Sequence, residues 1–407
     1  MNKKTTTNTF NKIPLANLRL GMYVVSVTDN NNTEFKSEGY ISTQESISQL
    51  EKAQITYVTV DTKKEKAVEQ VDRVLSEITV TKAKAEQRKK PEITIDQEMR
   101  KANKLYNSAR DLQKHILSSV KLNKSLQIVD IGDTTDSLVD SVYRNQDALS
   151  CLTRLQSKDS YLFEHSLNVA ILMSIFAKYL GLDKRIIQQL TLGAFLHDIG
   201  KVLLPNDILL KRSTLTKKEE NIMRSHVALG LKLLEDSPEI SHIAMQMVAE
   251  HHERLDGSGY PKGLKGKEIS KYGKMIAIVD SYDAMTCERP YKSAVSPISA
   301  FKTLVAESPL KYDEELVEKF IQCLGVYPVG TLVKLNSGKL GLISKLNKRK
   351  PLHPFVKVFY NTRLNQAISI EELDLSNSKY KDQIDCCIKP EDFNINLLGF
   401  FKNAFID

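Results

Sequence analysis

The stretch Gly193-Ala-Phe-Leu-His-Asp-Ile-Gly-Lys201 ends an apolar helical run with a histidine and a carboxylate side by side, followed by a glycine and a lysine. Adjacent helical residues point about 100° apart, so His197 and Asp198 cannot grip one ion as i,i+4 ligands do. They can serve two ions, the carboxylate bridging through its two oxygens and the imidazole binding one. Working outward, a second adjacent pair, His251-His252, heads the segment HHERLDGSGYP, which ends at Pro261. Gly257, Gly259 and Pro261 make that segment an ordered turn, and its Asp-Gly and Gly-Tyr-Pro steps let backbone approach a ligand closely. His165 and His226 lie on helical patterns, FEHSLNVAILM and NIMRSHVALGLKLL. Asp280, in MIAIVDSYDAM, is a carboxylate among apolar neighbours that needs a partner if buried.

These seven residues are five imidazoles and two carboxylates: His165, His197, Asp198, His226, His251, His252 and Asp280. A mixed nitrogen and oxygen set suits two borderline divalent ions such as Fe or Mn and fits a soft thiolate site poorly. Two such ions about 3.5–4 Å apart can activate a bridging water and clamp a phosphoryl group for in-line attack. The other three of the eight histidines, His115, His242 and His353, read as ordinary packed or surface residues.

The rest of the chain frames this centre. At 407 residues with 41% apolar and 27% charged content, it is long enough for two or three domains with real cores and is not a disordered chain. No apolar run approaches the roughly eighteen residues of a membrane span, the nearest being Val169 to Ala177. No secretory signal is readable at the N-terminus, and five cysteines without a CxxC pair argue against a disulfide framework. The expectation is a reduced, cytoplasmic protein with no membrane partner.

The pattern predicts a mainly α protein in four parts. Residues 1–62 form a small α/β module: MYVVSV and YVTVDT read as strands, and STQESISQLEKA between them as a helix capped by Ser42 or Thr43. Residues 63–134 hold a charged linker, ending KAKAEQRKKP, and a connecting helix. Its narrow apolar stripe (Ile95, Met99, Ala102, Leu105 or Tyr106, Ala109, Leu112, Ile116) fits either its own domain or the same helix of a second copy in a homodimer. Residues 135–324 are the helical domain that carries the histidines. Residues 325–407 read as a β appendage, with VGTLVKL, an Asn336-Ser337-Gly338 turn, LGLISKL and FVKVFY, and a tail containing LLGFF that is apolar enough to dock.

HDIGK followed by HHERLDGSGYP resembles the HD-GYP domains, the bacterial cyclic di-GMP phosphodiesterase branch of the HD metal phosphohydrolases. The resemblance covers about residues 145–324 and continues through DSYDAMTCERPYK; residues 13 to about 60 resemble the small domain that often precedes HD-GYP. It implies the seven residues above as ligands of two metal ions, with Asp198 bridging. Lys201 would sit near the scissile phosphate as a charge or proton source. Gly259, Tyr260 and Pro261 would form the loop beside the substrate, and Arg289 and Lys292 would meet its phosphate or guanine. Some family members place a glutamate one turn before the first histidine for a third metal; Tyr161 stands there, so two metals are expected. The implied activity is hydrolysis of cyclic di-GMP to linear pGpG, and onward to GMP, by metal-activated hydroxide. The alternatives are another cyclic dinucleotide such as cyclic GMP-AMP, or a receptor that binds without cutting.

The net charge of +8 accords with an anionic partner. From Arg254 to Lys292 there are eight basic and five acidic residues, a surplus of three beside the proposed site. The basic run Lys82 to Lys90 is short and lacks interleaved aromatics, so nucleic acid is not expected as a partner.

Overall fold

The computed structural model describes residues 10–15, 18, 22–41, 44–61, 93–122, 124, 126–154, 161–211, 213–288, 294–308, 310–347, 350–377, 379–380, 382–389 and 393. Outside them lie the charged segment from 63 to 90, the caps Ser42 and Thr43, Arg289, Lys292 and the LLGFF tail. The chain forms two compact units, Met1–Val80 and Thr81–Asp407.

In the first unit, β1 (Phe10–Pro14), β2 (Tyr23–Asp29), β3 (Glu34–Tyr40) and β4 (Ile55–Asp61) form an antiparallel sheet in the order β1-β4-β2-β3. Helix α1 (Gln44–Lys52) lies between β3 and β4 in sequence. Alternate residues of β2 and β4, including Val24, Val58 and Val60, enter one core with Leu15, Ile41 and Ile47. The expected strands and helix are present as β2, α1 and β4. β1 and β3 were not expected, because FNKIP and EFKSEGY carry too few apolar residues to read as strands.

The second unit begins with α2 (Ile95–Lys121), whose N-terminus is closed by a capping box from Thr94 and Gln97. It continues with α3 (Ile128–Leu152), α4 (Tyr161–Tyr179) and α5 (Lys184–Leu196), then a short 3-10 turn at Ile199–Leu203. After these come α6 (Asn206–Leu209), α7 (Lys217–Arg224), α8 (His226–Leu234), α9 (His242–Glu250), α10 (Lys271–Thr286), α11 (Pro297–Glu307) and α12 (Glu314–Leu324). α4 is apolar on nearly every side, so it is wrapped by neighbours and forms the centre of the helical body, with Leu167, Ile171 and Phe176 fully buried.

The α2 stripe is covered by this same unit: Met99, Ala102, Tyr106, Ala109 and Ile116 are buried. Polar contacts fix it there. Glu98 accepts from Ser141 and Arg144, the Tyr106 hydroxyl donates to Asn168 at 2.9 Å, and Gln113 donates to the Phe195 carbonyl at 3.4 Å. Of the two readings of the stripe, packing on its own domain is therefore the one observed.

The C-terminal sheet is antiparallel, in the order β8-β7-β6-β5-β9: β5 (Leu332–Leu335), β6 (Lys339–Lys345), β7 (Phe355–Asn361), β8 (Gln366–Asp374) and β9 (Ile384–Cys387). The Asn336-Ser337-Gly338 turn joins β5 to β6, and Gly338 takes φ +83°, a conformation side chains rarely adopt. All five cysteines are free. Among the described residues, no helix is long and apolar enough to cross a membrane.

Candidate metal centre

Six segments of the helical body deliver the seven donors. His165 projects from the first half of α4, His197 caps the C-terminal end of α5, and Asp198 stands in the turn after it. His226 opens α8, His251 caps α9 with His252 next, and Asp280 sits within α10. The adjacent pairs lie at helix ends, where the chain leaves helical geometry and two neighbouring side chains can turn into one space. Two glycines make the approach feasible. A Cβ at Gly200 would stand 2.0 Å from the His226 carbonyl oxygen, and one at Gly259 would stand 2.4 Å from the Arg254 nitrogen. The turn after Asp198 can thus press on α8, and the Gly-Tyr-Pro loop can fold against the His252–Arg254 backbone.

The donors form two groups: Asp198, His226, His251 and His252, and beside them His165, His197 and Asp280. Asp198 faces both. Its Oδ1 lies 3.4 Å from His226 Nε2 and 3.7 Å from His251 Nε2, while its Oδ2 lies 3.3 Å from His197 Nε2 and 3.6 Å from His165 Nε2.

Whether cations fit here can be tested on the protons. His197, His226 and His251 each donate Nδ1–H to the carbonyl three residues earlier, Ala194, Met223 and Val248, at 2.7–2.8 Å. A neutral imidazole has one N–H, so each Nε2 then presents a lone pair inward. Those of His226 and His251 face each other at 3.2 Å, and His197 Nε2 and Asp198 Oδ1 are buried without a hydrogen-bond partner. Converging lone pairs and a carboxylate oxygen with no proton among them are what a divalent cation satisfies. Burial holds His226 down to about 4 and His251 and His252 well below the ordinary histidine value, keeping them neutral. Burial would raise Asp198, but its polar surroundings, with Lys201 donating to it at 2.6 Å, outweigh that and hold the carboxyl well below the usual carboxylate range.

His165 is buttressed differently. Its Nδ1 meets Asp283 Oδ2 at 2.7 Å and its Nε2 meets Asp280 Oδ1 at 3.0 Å. Burial lowers its pKa, yet the two carboxylates override that and push it up to about 9.

Around the donors, Lys201 Nζ donates to Asp198 Oδ2 at 2.6 Å. The Tyr260 ring lies over His252 at 4.6 Å between centroids, tilted by 32°. Buried Glu253 accepts from the backbone N–H groups of Lys262 at 2.8 Å and Leu264 at 2.9 Å, fastening the loop that carries Gly259, Tyr260 and Pro261. Glu250 accepts from Ser270 N–H at 2.9 Å and so ties α9 to the start of α10. All seven predicted donors, Lys201 and the Gly-Tyr-Pro loop therefore converge. Arg289 and Lys292 lie outside the described residues, and the Tyr161 side chain does too. Sequence reasoning missed Asp283 and Glu253. Asp283 follows Asp280 by three residues, the spacing that puts two carboxylates on one helical face, and that signal was available.

Two family models match the chain, an HD domain over residues 150–316 and a domain of unknown function over residues 11–131. A cyclic di-GMP phosphodiesterase of Pseudomonas aeruginosa is 32% identical over 381 residues, 92% of this chain and 91% of that one. A cyclic di-GMP phosphodiesterase of Thermotoga maritima is 35% identical over 185 residues, 45% of this chain and 50% of its own. A 3'3'-cGAMP-specific phosphodiesterase of Vibrio cholerae is 31% identical over 196 residues, 48% of this chain and 36% of its own.

Proposed function

We propose that this chain, which belongs to the HD-GYP family of cyclic di-GMP phosphodiesterases, hydrolyses cyclic di-GMP to linear pGpG at a centre of two divalent ions. The observation that carries the reading is the division of Asp198 between two groups of donors whose lone pairs converge. Asp198, His226, His251 and His252 would hold one ion, and His165, His197 and Asp280 the other, with Asp198 bridging. Iron or manganese suits this donor set. Bound there, the ions supply Lewis-acid activation of water and neutralise charge on the phosphodiester.

The chain's own residues do the rest. The carbonyls of Ala194, Met223 and Val248 fix the tautomers of three imidazoles, and Asp283 fixes the ring of His165. Lys201 places a cation beside Asp198, where it can meet the scissile phosphate and donate a proton to the leaving oxygen. Glu253 sets the Gly-Tyr-Pro loop so that Tyr260 walls the site next to His252. Arg289 and Lys292 are assigned to the phosphate or guanine.

The test is product chromatography with Mn(II)- or Fe(II)-loaded protein on a panel of cyclic dinucleotides, paired with metal analysis. The expected result is pGpG from cyclic di-GMP. Intact cyclic di-GMP with tight binding would make the protein a receptor instead. A second reading, cleavage of 3'3'-cGAMP, is favoured by the Vibrio cholerae relative, and the same panel decides it.

A further inference from the structure

The site is not closed evenly. Six of the seven donors have side chains at most 8% exposed, whereas His252 is 18% exposed. Lys201 is 23% exposed and Arg224 is 41% exposed. The gradient places the mouth on the side where His252, Tyr260, Lys201 and Arg224 stand.

Arg224 ends α7, two residues before the donor His226. Its guanidinium sits 4.9 Å from the centroid of the Tyr260 ring, which in turn lies tilted over His252. The three form a layered wall at the mouth. One nitrogen of the guanidinium donates to Glu220 one helical turn back, while its Nε is buried with no hydrogen-bond partner. Arg254 makes a useful contrast. It also lies near the donors, but it donates to the His251 and Glu253 carbonyls and to Ser281, and is committed to holding the fold. Arg224 is committed only to Glu220, and its side chain is 41% exposed.

Resting on the phosphodiesterase reading above, we propose that Arg224 is a substrate-binding residue that holds the second, non-scissile phosphate of the cyclic dinucleotide. A cyclic dinucleotide carries two phosphates one ribose apart. One must lie over the metal donors beside Lys201, so the other needs a cation further out. A guanidinium is planar and offers a fork of N–H groups, which suits two phosphate oxygens better than an ammonium does. Arg224 would thereby select for substrates with two phosphates.

The test compares cyclic di-GMP with bis(p-nitrophenyl) phosphate, which has a single phosphate, on metal-loaded wild type, Arg224→Ala and Arg224→Lys. For Arg224→Ala, the ratio of kcat/KM on cyclic di-GMP to that on the single-phosphate ester should fall about ten- to a hundredfold, with the loss in KM. Arg224→Lys should recover part of it. Equal losses on both substrates, or a loss in kcat alone, would overturn the proposal and make Arg224 a prop for Tyr260 and His226. A variant whose melting temperature or metal content has dropped is excluded, and Arg224→Lys then carries the comparison. If the wild type cuts the ester but no cyclic di-GMP, the functional reading itself fails. If the wild type cuts both and neither variant changes the ratio, only the role of Arg224 fails.

Discussion

The imidazoles of the donor set are aimed by two different kinds of support. His197, His226 and His251 are each aimed by a backbone carbonyl three residues earlier, a contact that the helix supplies wherever such a histidine turns inward. His165 is aimed instead by a side chain, Asp283, and also contacts Asp280. The electrostatic consequence is opposite. Burial lowers His226 and His251 below the ordinary histidine value, whereas the paired carboxylates raise His165 to about 9. A carbonyl-aimed donor survives any side-chain change nearby, but a carboxylate-aimed donor can be disarmed by one substitution. The end around His165 should therefore be the tunable one.

Asp198 joins the two ends, so its loss should have the largest effect. Asp198→Ala should lower turnover about a thousandfold and reduce metal content at both ends. Loss of only one equivalent of metal would show that Asp198 serves a single ion and break the comparison. Next, Gly200→Ala drives a Cβ against the His226 carbonyl. It should cost about 1–3 kcal/mol in denaturant unfolding. Unchanged stability would mean that α8 yields, and metal content would then report the shift.

Asp283→Asn probes the tunable end directly. It should weaken one metal equivalent about ten- to a hundredfold and leave the other in place, as read by competition with a chelator. Equal weakening of both would show that the ends are not independent. The smallest effect is expected at His242, an exposed histidine at the start of α9, at the opposite end of that helix from the donor His251. His242→Ala should leave metal content unchanged and stability within about 0.5 kcal/mol.

Much of this centre was legible because its residue types are costly to bury without a purpose. Adjacent His-Asp and His-His pairs beside glycine turns announce donors, and all seven meet. Asp283 shares a segment with Asp280, but residue order alone does not say which neighbouring carboxylate meets the far nitrogen of His165. Glu253 was missed because its partners are backbone N–H groups of a loop, which leave no mark in side-chain pattern. Arg224 gave no signal at all. Its place depends on how a cationic helix end meets an aromatic ring 36 residues later. In the fold, the alternating and β-branched runs were readable as β2, β4, β5, β6 and β7. β1 and β8 were not, since they present mostly polar residues on exposed faces and are strands through pairing more than pattern.

The sequence by itself determined that this is a mainly helical chain with a histidine and aspartate centre for phosphoester chemistry. Residue chemistry is local, and unusual donors at helix ends can be seen one segment at a time. Only the tertiary structure decided how those donors divide, which oxygen of Asp198 faces which group, and that the α2 stripe is covered by its own unit. These depend on crossings between segments up to 115 residues apart, such as His165 with Asp280, and no local periodicity encodes them. The charge surplus from Arg254 to Lys292 suggested an anion, but it took the packing of Tyr260 between His252 and Arg224 to show where a second phosphate would be met.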